Sequence, residues 1–299
     1  MKQEPKGLDN ENQGFSSRAS APHPLDIGGQ AVIEGVMMKT KEKLAIAVRL
    51  ENGKIKIKKE TLKSLPKILR LPFVRGITTL VYILLIGIKA LVWSANQALG
   101  DEDELGMWEL IGTLFVSLLF ALLFFIGIPF FLTWLTGLDG FWFNALEGAI
   151  RLAVFIAYVY AISFMKDIRR MFQYHGAEHM AVNCYEFEHN LTVENVKKHS
   201  TIHPRCGTSF IMLVLIISII LFTFIPSEVW YLKLAWRVAL VPVVSGVGYE
   251  LLRLGGKFRK SVVMGILIAP GMWVQKITTQ KPSDDMIEVA IESLKAVVD

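Results

Sequence analysis

Two histidines and a glutamate open the stretch of this sequence best suited to chemistry. In Tyr174-His175-Gly176-Ala177-Glu178-His179 the imidazoles stand four residues apart, so on a helix they share a face, one turn apart, where both can bind one metal ion. Glu178 gives the order His-x-x-Glu-His, the inverted form of the zincin motif, in which two His hold Zn²⁺ and the Glu is the base toward water. The competing reading is a pair of surface histidines on an amphipathic helix. Five of the six His lie between His175 and His203, and the same polar segment ends in His199-Ser200-Thr201-Ile202-His203-Pro204-Arg205-Cys206-Gly207. A catalytic zinc site takes three protein ligands and keeps one position open. His203 or Cys206 supplies the third. His203 is preferred, since an imidazole near a membrane surface resists oxidation better than a thiolate, and Cys206 is then a small apolar group packed beneath. Pro204 and Gly207 imply a tight, non-helical turn.

The remaining candidates are carboxylates and glycines. Glu250, in Gly248-Tyr249-Glu250-Leu251-Leu252-Arg253, is costly in lipid unless it faces a metal, a cavity or a cation. It is either a further metal ligand or the partner of Arg253 or Arg237. Glu147 and Arg151, four residues apart, read as an internal ion pair rather than a catalytic one. Cys184 points off the His face and reads as core. Gly28-Gly29-Gln30, with Glu34 before Gly35, implies special backbone angles or the close approach of another group.

The elements that must position these residues are mostly membrane helices. The chain has 299 residues, is 53% hydrophobic and 20% charged, and has a mean hydropathy of +0.43, far too apolar for an ordinary soluble domain. Collagen-like, disordered and disulfide-scaffold classes are excluded, the last because there are only two Cys. The formal charge of +5 clusters beside apolar segments, which orients a chain in a bilayer rather than gripping nucleic acid. Residues 1–25 are polar, without the apolar core of a signal peptide, and read as a disordered cytoplasmic tail. Residues 26–70 read as a small cytoplasmic β-rich element, with a hairpin at Asn52-Gly53 between Leu44–Leu50 and Lys54–Lys58.

Five apolar stretches follow: Ile77–Ala95, Trp108–Leu135, Phe141–Met165, Ser209–Ile225 and Leu234–Leu252. Basic blocks at Lys39–Arg70, Lys166–Arg170 and Arg253–Lys260 mark cytoplasmic ends. Four crossings satisfy all of them, as hairpins over 108–165 and 209–255. Residues 71–107 then hold a non-spanning interfacial helix and the acidic Asp101–Glu104 loop; the rival is five spans with an outward N-terminus. The His-rich metal loop is 166–208. The remainder, 256–299, contains an apolar run broken by Gly265, Pro270 and Gly271, read as re-entrant or packed on the bundle, and an amphipathic closing helix, Asp284–Val298. The fold class expected is mainly α: a polytopic helical membrane protein with a small N-terminal cytoplasmic β-hairpin element, both termini cytoplasmic.

Over roughly residues 25–295 the sequence resembles the YqhQ-like family of bacterial multi-pass membrane proteins. The marks are Gly28 to Met38, His175-Gly176-Ala177-Glu178-His179 with Cys184-Tyr185-Glu186, His203-Pro204-Arg205-Cys206-Gly207-Thr208-Ser209-Phe210, and Tyr249 to Arg253; Met180 stands where Lys is expected. The resemblance implies a metal site on a membrane scaffold and supplies no substrate. The expected function is a membrane-embedded, Zn-dependent hydrolase with its site at the cytoplasmic face. The metal is assigned to His175, His179 and His203 or Cys206, with Glu250 in reserve, and Glu178 is the catalytic base. Its surroundings are membrane lipid and its substrate a peptide or a lipid-linked amide or ester. Two alternatives differ in class. A di-iron membrane oxidase would use His175 with His179 and His199 with His203. A non-enzymatic scaffold would hold a structural metal and bind a protein partner.

Overall fold

The computed structural model describes residues 27–62, 66, 74–99, 107–225, 229–258 and 261–299. The proposed tail 1–25, the acidic Asp101–Glu104 loop and the Arg259-Lys260 pair lie outside the described residues.

Alternating apolar residues around tight turns give an antiparallel sheet in the order β1 (Gly28–Val32), β2 (Gly35–Lys39), β3 (Lys43–Arg49) and β4 (Ile55–Thr61). The β3–β4 turn is where Asn-Gly predicts it: Gly53 has φ +79° and its N–H donates to the Leu50 carbonyl. The β1–β2 hairpin extends the β-rich element beyond the one hairpin expected. Its turn puts the positive φ on Glu34 (+54°) rather than on a glycine. Because strand side chains alternate, the sheet has two apolar faces. Val36, Met38, Ala45 and Ala47 pack against α5 (Lys166–Glu186) and α10 (Asp284–Val298). Val32, Met37, Leu44, Ile46 and Val48 pack against Ala90, Ile86, Leu91 and Trp93 of α1 (Val74–Leu99).

Among the described residues four helical segments are long and apolar enough to cross a membrane: Arg75–Ala98, Ile111–Trp134, Gly140–Ile162 and Trp230–Gly255. The second combines α2 (Met107–Leu122), a π turn at Leu123–Gly127 and α3 (Ile128–Trp134); Pro129, which lacks an N–H to donate, follows that irregular turn. Phe115, Leu118, Leu119, Phe120 and Leu123 lie on its exposed surface, a patch stable against lipid and not against water. The fold is therefore mainly α with apolar membrane-type helices and a small sheet.

Two span expectations change. Ser209–Ile225, read as a crossing, is α7 (Gly207–Phe222), 16 residues. At ~1.5 Å per residue it measures roughly 24 Å, short of a hydrocarbon core of about 30 Å. Ile77–Ala95, read as non-spanning, belongs to a helix with the length and composition to cross, although its second half is occupied by the sheet. There the Ile33 N–H donates to Ser94 Oγ at 3.1 Å, and the Lys58 ammonium lies over the Trp93 ring. The run expected to be broken at Gly265, Pro270 and Gly271 is instead one continuous helix, α9 (Val262–Thr278). It packs on α7, with Gly271 against Ser209.

Inside the bundle, α4 (Gly140–Ile162), α7 and α8 (Trp230–Lys257) enclose Glu147, Arg151 and Arg237, all buried. Glu147 pairs with Arg151 as the i, i+4 spacing predicts, and Arg151 also donates to Ser218. Arg237 donates to Asn144 at 2.7 Å and stacks over Phe130, Phe143 and Phe222.

Candidate metal centre

α5 carries His175, Glu178 and His179 on one face, as the spacing requires, with ring centroids of the two histidines 4.4 Å apart. Two other segments close on that face. After α6 (Val193–Val196) the chain returns through Thr201 and the His203-Pro204-Arg205-Cys206 turn, closed by Cys206 N–H to the His203 carbonyl at 3.3 Å. The segment leaving α9 crosses at Gly176. A Cβ there would stand 2.1 Å from the Gln280 carbonyl oxygen, so glycine is what lets that strand of chain lie on the helix.

These two segments orient the rings. His175 Nδ1 lies 2.9 Å from the Thr278 carbonyl and His179 Nδ1 lies 2.6 Å from the Thr201 carbonyl. A carbonyl only accepts, so each Nδ1 carries its hydrogen, and in the neutral ring each Nε2 keeps a lone pair. His175 Nε2 is 3.2 Å from Cys206 Sγ. The ligand atoms of His175, His179 and Cys206 all lie within 4.8 Å of one another. Among the described residues this is the one such group of three. Burial, with the charges of His175 and His203, holds His179 below its ordinary pKa despite the hydrogen bond and charge of Cys206, which act upward. Burial alone raises the Cys206 thiol. The hydrogen bond and charge of His179, with the hydrogen bonds of Thr208, outweigh it, and the net shift is downward. Cys206 is also the N-cap of α7, accepting from the Thr208 N–H, a position that favours a thiolate.

Glu178 is 6% exposed, and its Oε2 has no hydrogen-bond partner. Burial pushes its carboxyl up to about 8, with His175 acting downward and Cys206 upward. A cation held beside it would restore the carboxylate. Its carboxyl rests on β1: a Cβ at Gly29 would lie 2.7 Å from Glu178 Oε1, so the close approach implied by the glycine-rich start falls at Gly29. Two imidazole lone pairs, a lowered thiol and an unpartnered buried carboxylate oxygen form a donor set suited to a borderline-soft divalent ion.

The other sequence candidates fall elsewhere. His203 is adjacent, its ring 5.7 Å from that of His179, but its Nε2 faces Glu186 Oε1 at 3.4 Å while Glu186 also pairs with Arg205. Gln275 of α9 clamps the His203 backbone, accepting from its N–H and donating to its carbonyl, both at 2.9 Å. The grouped donor atoms thus include Cys206 and not His203. Glu250 makes a two-bond pair with Arg75 of α1, both contacts 2.6 Å, rather than with Arg253 or Arg237. His199 lies 2.9 Å from His189, so the second His-x-x-x-His spacing brings no second pair of ligands together. Cys184 is buried, with its thiol on the His189 and Asn190 carbonyls. Sequence reading did not find the contacts of Thr278, Thr201 and Gly29; the one signal was the glycine-rich start.

A family model described as "Protein of unknown function (DUF1385)" matches residues 71–299, which include His175, His179, Cys206 and Glu178. The chain belongs to the DUF1385 family. This DUF1385 chain is also 37% identical over 298 residues to the uncharacterized protein YqhQ of Bacillus subtilis (strain 168), covering 92% of this chain and 93% of that one. The resemblance drawn from its motifs is therefore correct. No solved structure matches the DUF1385 chain. Its strands β1–β4 lie before the residues that the family model matches.

Proposed function

We propose that this membrane protein is a metal-dependent hydrolase, with zinc held by His175, His179 and Cys206 at the cytoplasmic face and Glu178 as general base. The observation that carries the reading is the convergence of three soft or borderline donors within 4.8 Å beside a buried carboxylate. A bound divalent ion would supply Lewis acidity and make water acidic near neutral pH. Glu178 takes a proton from the attacking water and returns it to the leaving group, so the acyl–heteroatom bond breaks and one water is consumed. Three protein ligands leave the open position that hydrolysis needs.

Metal analysis of purified protein tests this. The expected result is about one zinc per chain, retained in Glu178→Gln and His203→Ala and lost in Cys206→Ser. Two irons would support the oxidase. Equal loss from His203→Ala and Cys206→Ser would mean four protein ligands and a structural metal. For sidedness, Lys54→Cys and Lys197→Cys should both resist an impermeant thiol reagent applied to intact cells. The two sites stand on one packed body, since Arg49 bonds the Gly53 carbonyl together with Asp285 and Glu288 of α10 while Lys197 pairs with Asp284; labelling of both would place the centre on the opposite face.

A further inference from the structure

We propose that the outer edge of β1 binds the substrate, and that the substrate is a polypeptide in extended conformation added to the sheet as a further strand. This rests on the reading of the adjacent centre as a hydrolase and narrows its substrate class.

Among the described residues β1 is an edge strand, pairing only with β2 in the sheet. Which of its groups face outward follows from the register. Val32 pairs with Gly35, and Gly35 with Val48. The Arg49 N–H donates to the Glu34 carbonyl at 2.9 Å, so the position beside Gly35–Val48 is a hydrogen-bonded one. Bonded and non-bonded positions alternate in an antiparallel ladder. Gly35 therefore turns its N–H and C=O toward Val32 of β1. One and three residues back from Val32, Ala31 and Gly29 turn theirs away from β2. Ile33 has the same parity, and its outward N–H is the one taken by Ser94 Oγ. For Gly29 and Ala31, no hydrogen bond on that side is formed among the described residues. Gly29 is exposed and Ala31 half-buried.

This open ladder runs beside the chemistry. Gly29 is the residue against which Glu178 rests, with room for the carboxyl only because there is no Cβ, and Glu178 Oε2 is buried and unpartnered. A chain paired with Gly29 and Ala31 would lie beside the residue on which Glu178 rests, and Glu178 shares its helix face with His175 and His179. Alternating N–H and C=O at a two-residue repeat is what such an edge recognises. An acyl chain has no such repeat, which separates a peptide from a lipid-linked ester. In the reaction, the peptide C–N bond breaks, the water oxygen joins the carbonyl carbon, and the proton taken by Glu178 goes to the departing amine.

The test uses full-length, zinc-loaded protein in detergent and a pool of fluorescence-quenched octapeptides of randomised sequence. Ala31→Pro removes the outward N–H at a position where an edge strand tolerates proline. It should weaken peptide binding, read by polarisation on the Glu178→Gln background, by about tenfold, the worth of one well-formed hydrogen bond, with zinc content and Tm unchanged. If Ala31→Pro does not fold, N-methylation of single amides in a bound peptide serves instead, and one methylated position should lose about the same factor. Peptides that bind with unaltered affinity to Ala31→Pro, or whose every N-methyl variant binds equally, overturn the edge. So does hydrolysis of acyl esters with no binding of peptides, which would leave the hydrolase reading standing. Peptide binding that depends on Ala31 without any turnover by zinc-loaded wild type upholds the edge and overturns the hydrolase.

Discussion

Two buried clusters of polar side chains sit in this molecule, and they differ in what they leave unspent. In the bundle, Glu147, Arg151 and Arg237 leave only donors over, the Nε groups of the two arginines, and the guanidinium groups are laid against rings. Around α5, acceptors converge instead: two Nε2 atoms and Cys206 Sγ, which touch one another, and the unpartnered Glu178 Oε2, with carbonyls taking up the Nδ1 hydrogens. Dispersed donors covered by aromatic faces are a way of burying charge. Convergent acceptors leave a place for a cation. The first cluster therefore holds helices together, and the second is poised to bind.

The largest effect that could break this contrast is on stability. Glu147→Ala would leave two arginines in the bundle without a counter-charge, a loss of about 3–5 kcal/mol for a buried pair. Thermal unfolding in detergent should show it, with zinc per folded chain unchanged; loss of zinc from the folded fraction would mean that the clusters are not independent. Next is His179→Ala. Second-shell changes cost about 10–100-fold in metal affinity, so removal of a ligand should exceed about 100-fold in a competition with a chelator, with little change in the melting of chelated protein.

The pH response has a definite sign. The Glu178 carboxyl titrates ordinarily at 4.5 and in the folded, metal-free chain at about 8, so the native state holds an extra proton between those values. The stability this contributes is fully present below 4.5 and is lost as pH rises through about 8. Chelated protein should become less stable over that window, and Glu178→Gln should flatten the decline. An unchanged slope would remove Glu178 from its buried setting. The smallest effect contrasts the two thiols: Cys184→Ser should cost roughly 1 kcal/mol or less and no zinc, whereas Cys206→Ser should lose most of the zinc.

The grouping of His175 with His179 was legible in the sequence because one helical turn fixes where they stand. Which of His203 and Cys206 joins that group was not, since it depends on how the four-residue turn His203–Cys206 is clamped by Gln275 from another helix. The partner of Glu250 was hidden for a similar reason: Arg75 is 175 residues away. The β1–β2 hairpin went unread because its turn is Ile33-Glu34, with the left-handed backbone on a glutamate. Pro270 and Gly271 look like helix breakers, yet α9 runs through them because Gly271 gives close packing on α7. The apolar class, the closing helix and the Asn52-Gly53 hairpin depend on local pattern, and these were read correctly.

The carbonyl that orients His175 belongs to Thr278, the last residue of α9, and Cys206 caps α7; both helices are apolar, while His175 and His179 stand on a helix packed against the sheet. No cut in this chain separates the His175–His179–Cys206 group from its apolar helices. A fragment ending before α7 keeps two imidazoles, loses the support that aims one of them, and lacks a third donor unless Cys206 is retained without its helix. The centre is thus a joint rather than a module. Solubilised fragments are the wrong material for assaying it, and whatever loosens the packing of α7 against α9 loosens the ligand set with it.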